Sequence, residues 1–151
     1  EFGISPAVQE LVRATRDVVP DIYQYMAETK SCAEKINVFL ADLSDKEILR
    51  EKLSSVGGLA ISSSMYNNLE INAEAATKGN ALLWLADHLG IAREETMAFG
   101  DGENDISMLK AAGIGIAMGN ASDQVKAAAD EVTLTNEQAG VAAAIRTWIL
   151  K

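Results

Sequence analysis

At Gly100 an apolar run gives way to acid. Thr96-Met97-Ala98-Phe99 has the composition of a buried strand, and Asp101, Glu103, Asn104 and Asp105 then crowd three carboxylates and an amide together. Ile106, Met108 and Leu109 follow in an amphipathic pattern. A strand that opens through an acidic loop into a helix delivers its carboxylates to the carboxyl edge of a sheet, where open α/β folds place their ligands. Carboxylates this close repel one another unless a cation sits among them, and Mg²⁺, with its preference for oxygen, suits the position. A calcium loop of the EF-hand type does not fit. Counted from Asp101, the sixth place holds Ile106 instead of the required glycine, and the twelfth holds Ala112 instead of the bidentate glutamate.

The residues on either side extend this alternation. Lys78–Leu89 has helical spacing, with Thr77 as its cap and Gly90 as its stop. Strands are expected at Thr96–Phe99, Ile114–Met118 and Glu131–Thr135. Helices are expected at Asn104–Ala112 (ended by Gly113), Ser122–Ala129 and Gly140–Leu150. Strands and helices in turn mean βαβ units and a parallel sheet. Upstream the pattern differs. Pro6–Val18 reads as a helix with Val8, Leu11, Val12 and Ala14 inward, and Asp45–Leu53 as a charged helix with Ile48, Leu49 and Leu53 inward. Ile36–Leu40, Ala60–Ser64 and Asn68–Asn72 read as strands, the last two joined as a hairpin at Met65-Tyr66-Asn67. That is an α+β layer, and the boundary between the two parts falls near Ala73–Ala76, giving residues 1–75 and 76–151.

The 151 residues are 48% hydrophobic, enough for a core, and contain no apolar run long enough to span a membrane. No secretory leader is visible over Glu1–Glu10. A net charge of −9 argues against nucleic-acid and anionic-membrane partners. The single cysteine, Cys32, excludes an internal disulfide and fits a reducing cytoplasm.

Lys78-Gly79 begins a helix, and a lysine there can aim its ammonium at the sheet edge that carries Asp101. The helix N-terminus adds its own attraction for anions. A cation, metal-binding carboxylates and a helix N-terminus together suit a phosphoryl group in transfer, where catalysis is mainly positioning and charge neutralisation.

Lys78-Gly79, Gly100-Asp101-Gly102-Glu103-Asn104-Asp105 and Ala117-Met118-Gly119-Asn120-Ala121, in this order and spacing, resemble the C-terminal half of a Cof-like phosphatase of the haloacid dehalogenase-like superfamily. The resemblance is close from about Asn68 onward and looser upstream. It implies half of a Rossmann-like parallel sheet plus a partial α+β cap. It also implies Mg²⁺-dependent hydrolysis of a small phosphorylated metabolite, commonly a sugar phosphate, through an aspartyl-phosphate. By position it implies that Lys78 holds the phosphoryl group, that Asp101 ligates Mg²⁺, that Asn104 contacts the phosphate and that Asp105 supports the metal.

Such enzymes also carry an Asp-x-Asp-Gly-Thr motif whose first aspartate attacks phosphorus. This sequence has no Asp-x-Asp; Asp42-Leu43-Ser44-Asp45 has the wrong spacing. The expectation is therefore a fragment that starts inside the cap, with half of the metal site and little activity alone. In the family the Met97–Phe99 strand lies beside the nucleophile strand. Its bare edge is expected to pair with the missing N-terminal half or to self-associate. Two other readings stand beside this one: a non-catalytic binding or assembly module that keeps the fold, and a phosphomutase relative.

Several residues are expected to be ordinary. His88 reads as a surface or packed residue at a helix C-terminus, Cys32 as an inert buried or linker thiol, and Trp84 and Trp148 as core or interface. Asn120 suits either a loop cap or the phosphate side. Gly113-Ile114-Gly115-Ile116-Ala117-Met118-Gly119 is not a dinucleotide fingerprint, because its glycines flank a strand instead of following one.

Overall fold

The chain forms two three-stranded sheets, seen in a computed structural model that describes residues 6–150 apart from the side chains of Ala7 and Val8. The first sheet comes from β1 (Ile36–Phe39), β2 (Leu59–Ser62) and β3 (Asn68–Ala73), in the order β1-β3-β2. It is antiparallel throughout, with Ile71 opposite both Ile36 and Ile61. The second comes from β4 (Met97–Gly100), β5 (Ile114–Ala117) and β6 (Glu131–Val132), in the order β4-β5-β6, and is parallel. The α/β class read from the sequence is the one that forms.

Helix α4 (Lys78–Leu89) has the bounds its caps dictate. Thr77 Oγ1 accepts from the Asn80 amide at 3.1 Å, and Gly90 takes the left-handed conformation, φ 69°, that closes the helix. Then come α5 (Ile106–Ala111), α6 (Asp123–Lys126) and α7 (Gly140–Trp148). Leu109, Ala117, Ala121 and Val125 form the core of this part, with Ile106 and Ala129 against it. Gly113 does not end α5 by a left-handed turn. Ala112 is the cap, and Gly113 is small because a Cβ there would run into the Arg93 carbonyl.

The upstream half departs more from expectation. Helix α1 (Pro6–Thr15) stops at Thr15, whose hydroxyl bonds back to Leu11 O at 2.7 Å. Pro20 biases the preceding residue away from helix. Leu11 and Ala14 are exposed instead of inward, Val12 is half-buried, and Val8 lies outside the described side chains. A second helix, α2 (Ile22–Thr29), was not expected. Asp21 caps it through the Tyr23 and Gln24 amides, at 2.8 and 3.1 Å.

Helix α3 (Ser44–Ser54) turns Leu49 and Leu53 inward as expected, but not Ile48. Ile48 is 53% exposed, whereas Lys46, Leu49, Arg50 and Leu53 are half-buried at helical spacing. Lys46 Nζ donates to Ser63 Oγ and Tyr66 O, both at 2.9 Å. Strand β2 ends at Ser62 because Ser63 and Ser64 are drawn into the turn. Asn68 Oδ1 accepts from the Ser64 and Met65 amides at 3.1 and 2.8 Å, competing with ladder pairing. No helix among the described residues is long and apolar enough to cross a membrane.

Candidate active site

The loop after β4 folds back on itself. At Gly100 a Cβ would collide with the Asp105 side chain, so only glycine lets the Asp105 carboxylate tuck beneath the strand end. Asp105 Oδ2 accepts from the Asp101 and Gly102 amides, each at 3.0 Å, and its Oδ1 accepts from Lys78 Nζ at 2.5 Å. Burial pushes the Asp105 carboxyl up. The Lys78 hydrogen bond, the two amides and the Lys78 charge outweigh it and hold the group below its ordinary value.

Lys78 reaches this carboxylate because α4 crosses α5 closely. The Gly79 amide donates to Ser107 Oγ at 3.2 Å, and a Cβ on Gly79 would run into the Ser107 backbone carbonyl. One glycine thus sets the helix crossing and the next sets the loop.

Asp101 is exposed. Its Oδ2 accepts from Asn120 Nδ2 at 3.0 Å, and Asn120 Oδ1 in turn accepts from the Asn136 amide at 2.9 Å. Asn120, left open between two roles by the sequence, orients Asp101. Its only sequence signal was its place after Gly119, in the turn that follows β5.

Glu103 and Asn104 face the other way, toward the antiparallel sheet. Glu103 takes a two-pronged ion pair from Arg50, with Nη1–Oε1 2.8 Å and Nη2–Oε2 3.1 Å. Asn104 lies on the same cavity wall as Glu70 of β3. Burial raises the Glu70 carboxyl, but hydrogen bonds from Lys35 and Ser64, the Lys35 charge and the Asn104 amide hold it below the ordinary value. Neither Arg50 nor Glu70 was singled out in the sequence. A cavity of about 1220 Å³ separates the two sheets on this side, lined by Lys35, Glu70, Lys78, Glu103, Asn104 and Lys110 among others. Asp101 is not part of that lining and meets Lys78 only through Asp105.

A divalent ion finds a partial set of donors. Asp101 accepts no hydrogen bond on Oδ1 from the described residues, whereas both oxygens of Asp105 are taken. Among the described residues no group of three or more His, Cys, Asp or Glu side chains is placed to hold a metal. One carboxylate suits Mg²⁺ as a protein ligand but leaves most of its octahedron to water, phosphate or other carboxylates.

The remaining candidates stay apart from this cluster. His88 stacks on Trp84 with ring centroids 5.2 Å apart, and Trp84 is 67% exposed instead of core. Trp148 is 43% exposed, and Cys32 is exposed between α2 and β1.

A family model described as haloacid dehalogenase-like hydrolase matches residues 9–145. Among curated relatives, the chain is 46% identical over 112 residues to 5-amino-6-(5-phospho-D-ribitylamino)uracil phosphatase YcsE of Bacillus subtilis, covering 72% of the chain and 45% of that protein. It is 39% identical over 142 residues to the similarly named YwtE of the same organism, covering 94% and 45%. Its fold superposes on a haloacid dehalogenase-like hydrolase from B. subtilis with TM-score 0.76 and 39% identity, over 84% of this chain and 45% of that one. A sugar phosphatase of subclass IIB gives TM-score 0.76 and 31% identity, over 96% and 55%. The chain spans less than half of the length of these curated relatives.

Proposed function

The chain belongs to the haloacid dehalogenase-like hydrolase family, and on that premise we propose that it supplies the lysine and one side of the metal site of a Mg²⁺-dependent phosphatase. Its substrate is a small phosphorylated metabolite of the sugar-phosphate kind, in line with two relatives, a 5-amino-6-(5-phospho-D-ribitylamino)uracil phosphatase and a sugar phosphatase. One observation carries the reading. The Lys78 ammonium and the Asp101 backbone are fixed by the same Asp105 carboxylate, so a cation and an exposed aspartate stand together at the end of β4.

Each residue has a task in this scheme. Lys78 neutralises charge on the phosphoryl oxygens and is kept in position by Asp105. Asp101, oriented by Asn120, is the direct ligand of Mg²⁺; Asp105 supports the metal indirectly, by fixing the loop. Asn104 contacts the phosphate. Mg²⁺, when bound, adds positive charge at the transferring oxygens. These 151 residues contain no Asp-x-Asp motif to supply the attacking carboxylate. We assign it to a strand that pairs with β4, which is bonded only to β5 among the described strands.

Mg²⁺ titration of the isotope-labelled chain tests the metal assignment. Amide shifts at Asp101 and Gly102 are expected, and Asp101→Ala should abolish them; shifts that survive in that variant remove Asp101 as ligand. In a protein that includes the pairing strand, hydrolysis of p-nitrophenyl phosphate should depend on Mg²⁺. There Lys78→Ala should cost about 3 kcal/mol of transition-state stabilisation, the scale for losing one preorganised donor. Mg²⁺ binding without hydrolysis would favour the binding module.

A further inference from the structure

The loop between Asp101 and Asp105 divides its side chains between two sheets. Asp101 and Asp105 are tied within the parallel-sheet half, to Asn120 and Lys78. Glu103, two residues from each, is tied to Arg50 of α3, 53 residues earlier in the chain. We propose that Arg50 is a positioning residue: by gripping Glu103 with both terminal guanidinium nitrogens, Nη1 and Nη2, it couples the place of the antiparallel sheet to the geometry of the loop that carries Asp101 and Asn104.

Three features support the coupling. The pair is two-pronged, which fixes orientation as well as distance and sets it above a simple surface ion pair. It is also sheltered, at 23% and 30% side-chain exposure. Arg50 also touches its own sheet, with Nη1 lying 3.5 Å from Ile61 O of β2, and within α3 its Nε lies 3.8 Å from Glu47 Oε1. Displacement of α3 therefore pulls on Glu103. Glu103 begins the 3-10 turn Glu103–Asp105, whose closing bond runs from the Asp105 amide to Gly102 O at 3.0 Å. Loosening Glu103 loosens the turn, and with it the amides of Asp101 and Gly102 that rest on Asp105. The same turn places Asn104, on the cavity wall beside Glu70.

The significance for catalysis rests on the phosphatase reading above; the mechanical coupling does not. The test is amide hydrogen exchange on the full chain without ligand, resolved at Asp101, Gly102 and Asp105. Arg50→Gln and Glu103→Gln should each speed exchange at all three by about threefold to tenfold, the range expected when a local opening loses one strong polar tether. Glu103→Gln leaves the Arg50 contacts with Ile61 and Glu47 intact, so a matching effect from both variants separates coupling from damage to α3. The reversed pair Arg50→Glu with Glu103→Arg should restore slow exchange, and Arg50→Lys, which keeps charge but loses the fork, should fall between. Unchanged exchange at the loop in Glu103→Gln, or changes confined to α3 and β2 in Arg50→Gln, overturns the proposal. Failure of Mg²⁺ to shift Asp101 in the wild-type chain would instead count against the phosphatase reading and leave the exchange result standing.

Discussion

The middle strands of the two sheets are built from opposite materials. In the antiparallel sheet β3 buries Asn68 and Glu70 beside Leu69 and Ile71, and both polar groups are held in hydrogen-bond networks. In the parallel sheet β5 buries Gly115, Ile116 and Ala117, with no polar side chain at all. The antiparallel half is specified by side chains that satisfy one another. The parallel half is specified by how closely backbones approach. Small residues are therefore critical in one place and polar partners in the other.

The most damaging single change should lie at a close backbone approach. A Cβ on Gly115 would press into the backbone of Leu109, 2.8 Å from its carbonyl carbon and 2.9 Å from its Cα. Backbone cannot yield as a side-chain tip does, so Gly115→Ala should cost about 3 kcal/mol, at the upper end for overpacking. Chemical denaturation measures this. A cost near zero would mean that the α5–β5 contact is loose and that close backbone approach does not specify the parallel half.

Next in size is the polar half. Asn68→Ala removes the acceptor for the Ser64 and Met65 amides and a donor to Asn37 Oδ1. A loss of about 2 kcal/mol is expected, the scale for buried groups left without partners. Faster exchange should be concentrated at Ser64 and Met65. Gly57→Ala should be milder, about 1 kcal/mol, because no atom lies within 4 Å of its would-be Cβ and only its φ of 75° resists a side chain. Thermal melts that rank these three variants differently would show that the distinction between steric and polar specification is wrong.

The same contrast explains what could be read before the structure. Lys78–Leu89 was legible to the residue because Thr77 and Gly90 are local signals. The alternation from Met97 onward was legible because β4 and β5 are apolar runs that close on glycine, at Gly100 and Gly119; β6 lacks such a run and spans only Glu131–Val132 of the expected Glu131–Thr135. Helix α2 was not: Asp21 caps it and Ile22, Tyr25 and Met26 stand at helical spacing, but it runs for only eight residues, too short for a periodic pattern to stand out. The inward stripe of α3 was right at Leu49 and Leu53 but missed Arg50, which turns in to meet Glu103, and nothing local announces a partner so distant in sequence. At the site, the gathering of Lys78 with Asp105 beside Asp101 follows from motif spacing. The Asn120 support of Asp101 and the placing of Asn104 beside Glu70 depend on the packing of separate elements, which spacing alone does not encode.

The smallest effect expected is acid sensitivity, and it falls on both halves at once. Asp105 in the loop and Glu70 on β3 both have carboxyls held below their ordinary values against the upward push of burial. A carboxyl depressed in the folded state binds fewer protons there than in the unfolded chain. It therefore contributes stability that is complete above the ordinary carboxylate pKa and is lost as pH falls through the folded value. Both lysine partners, Lys78 and Lys35, are about half exposed, at 48% each, so solvent screens the pairs and each contributes about 0.5 kcal/mol. Stability should be flat from neutral pH down to the ordinary carboxylate range and decline below it. Asp105→Asn should flatten the acid limb at loop amides, and Glu70→Gln should do so in the antiparallel sheet. If either substitution flattened both regions together, the two halves would be acting as one cooperative unit through the Arg50–Glu103 grip, and the materials of their middle strands would matter less than the link between them.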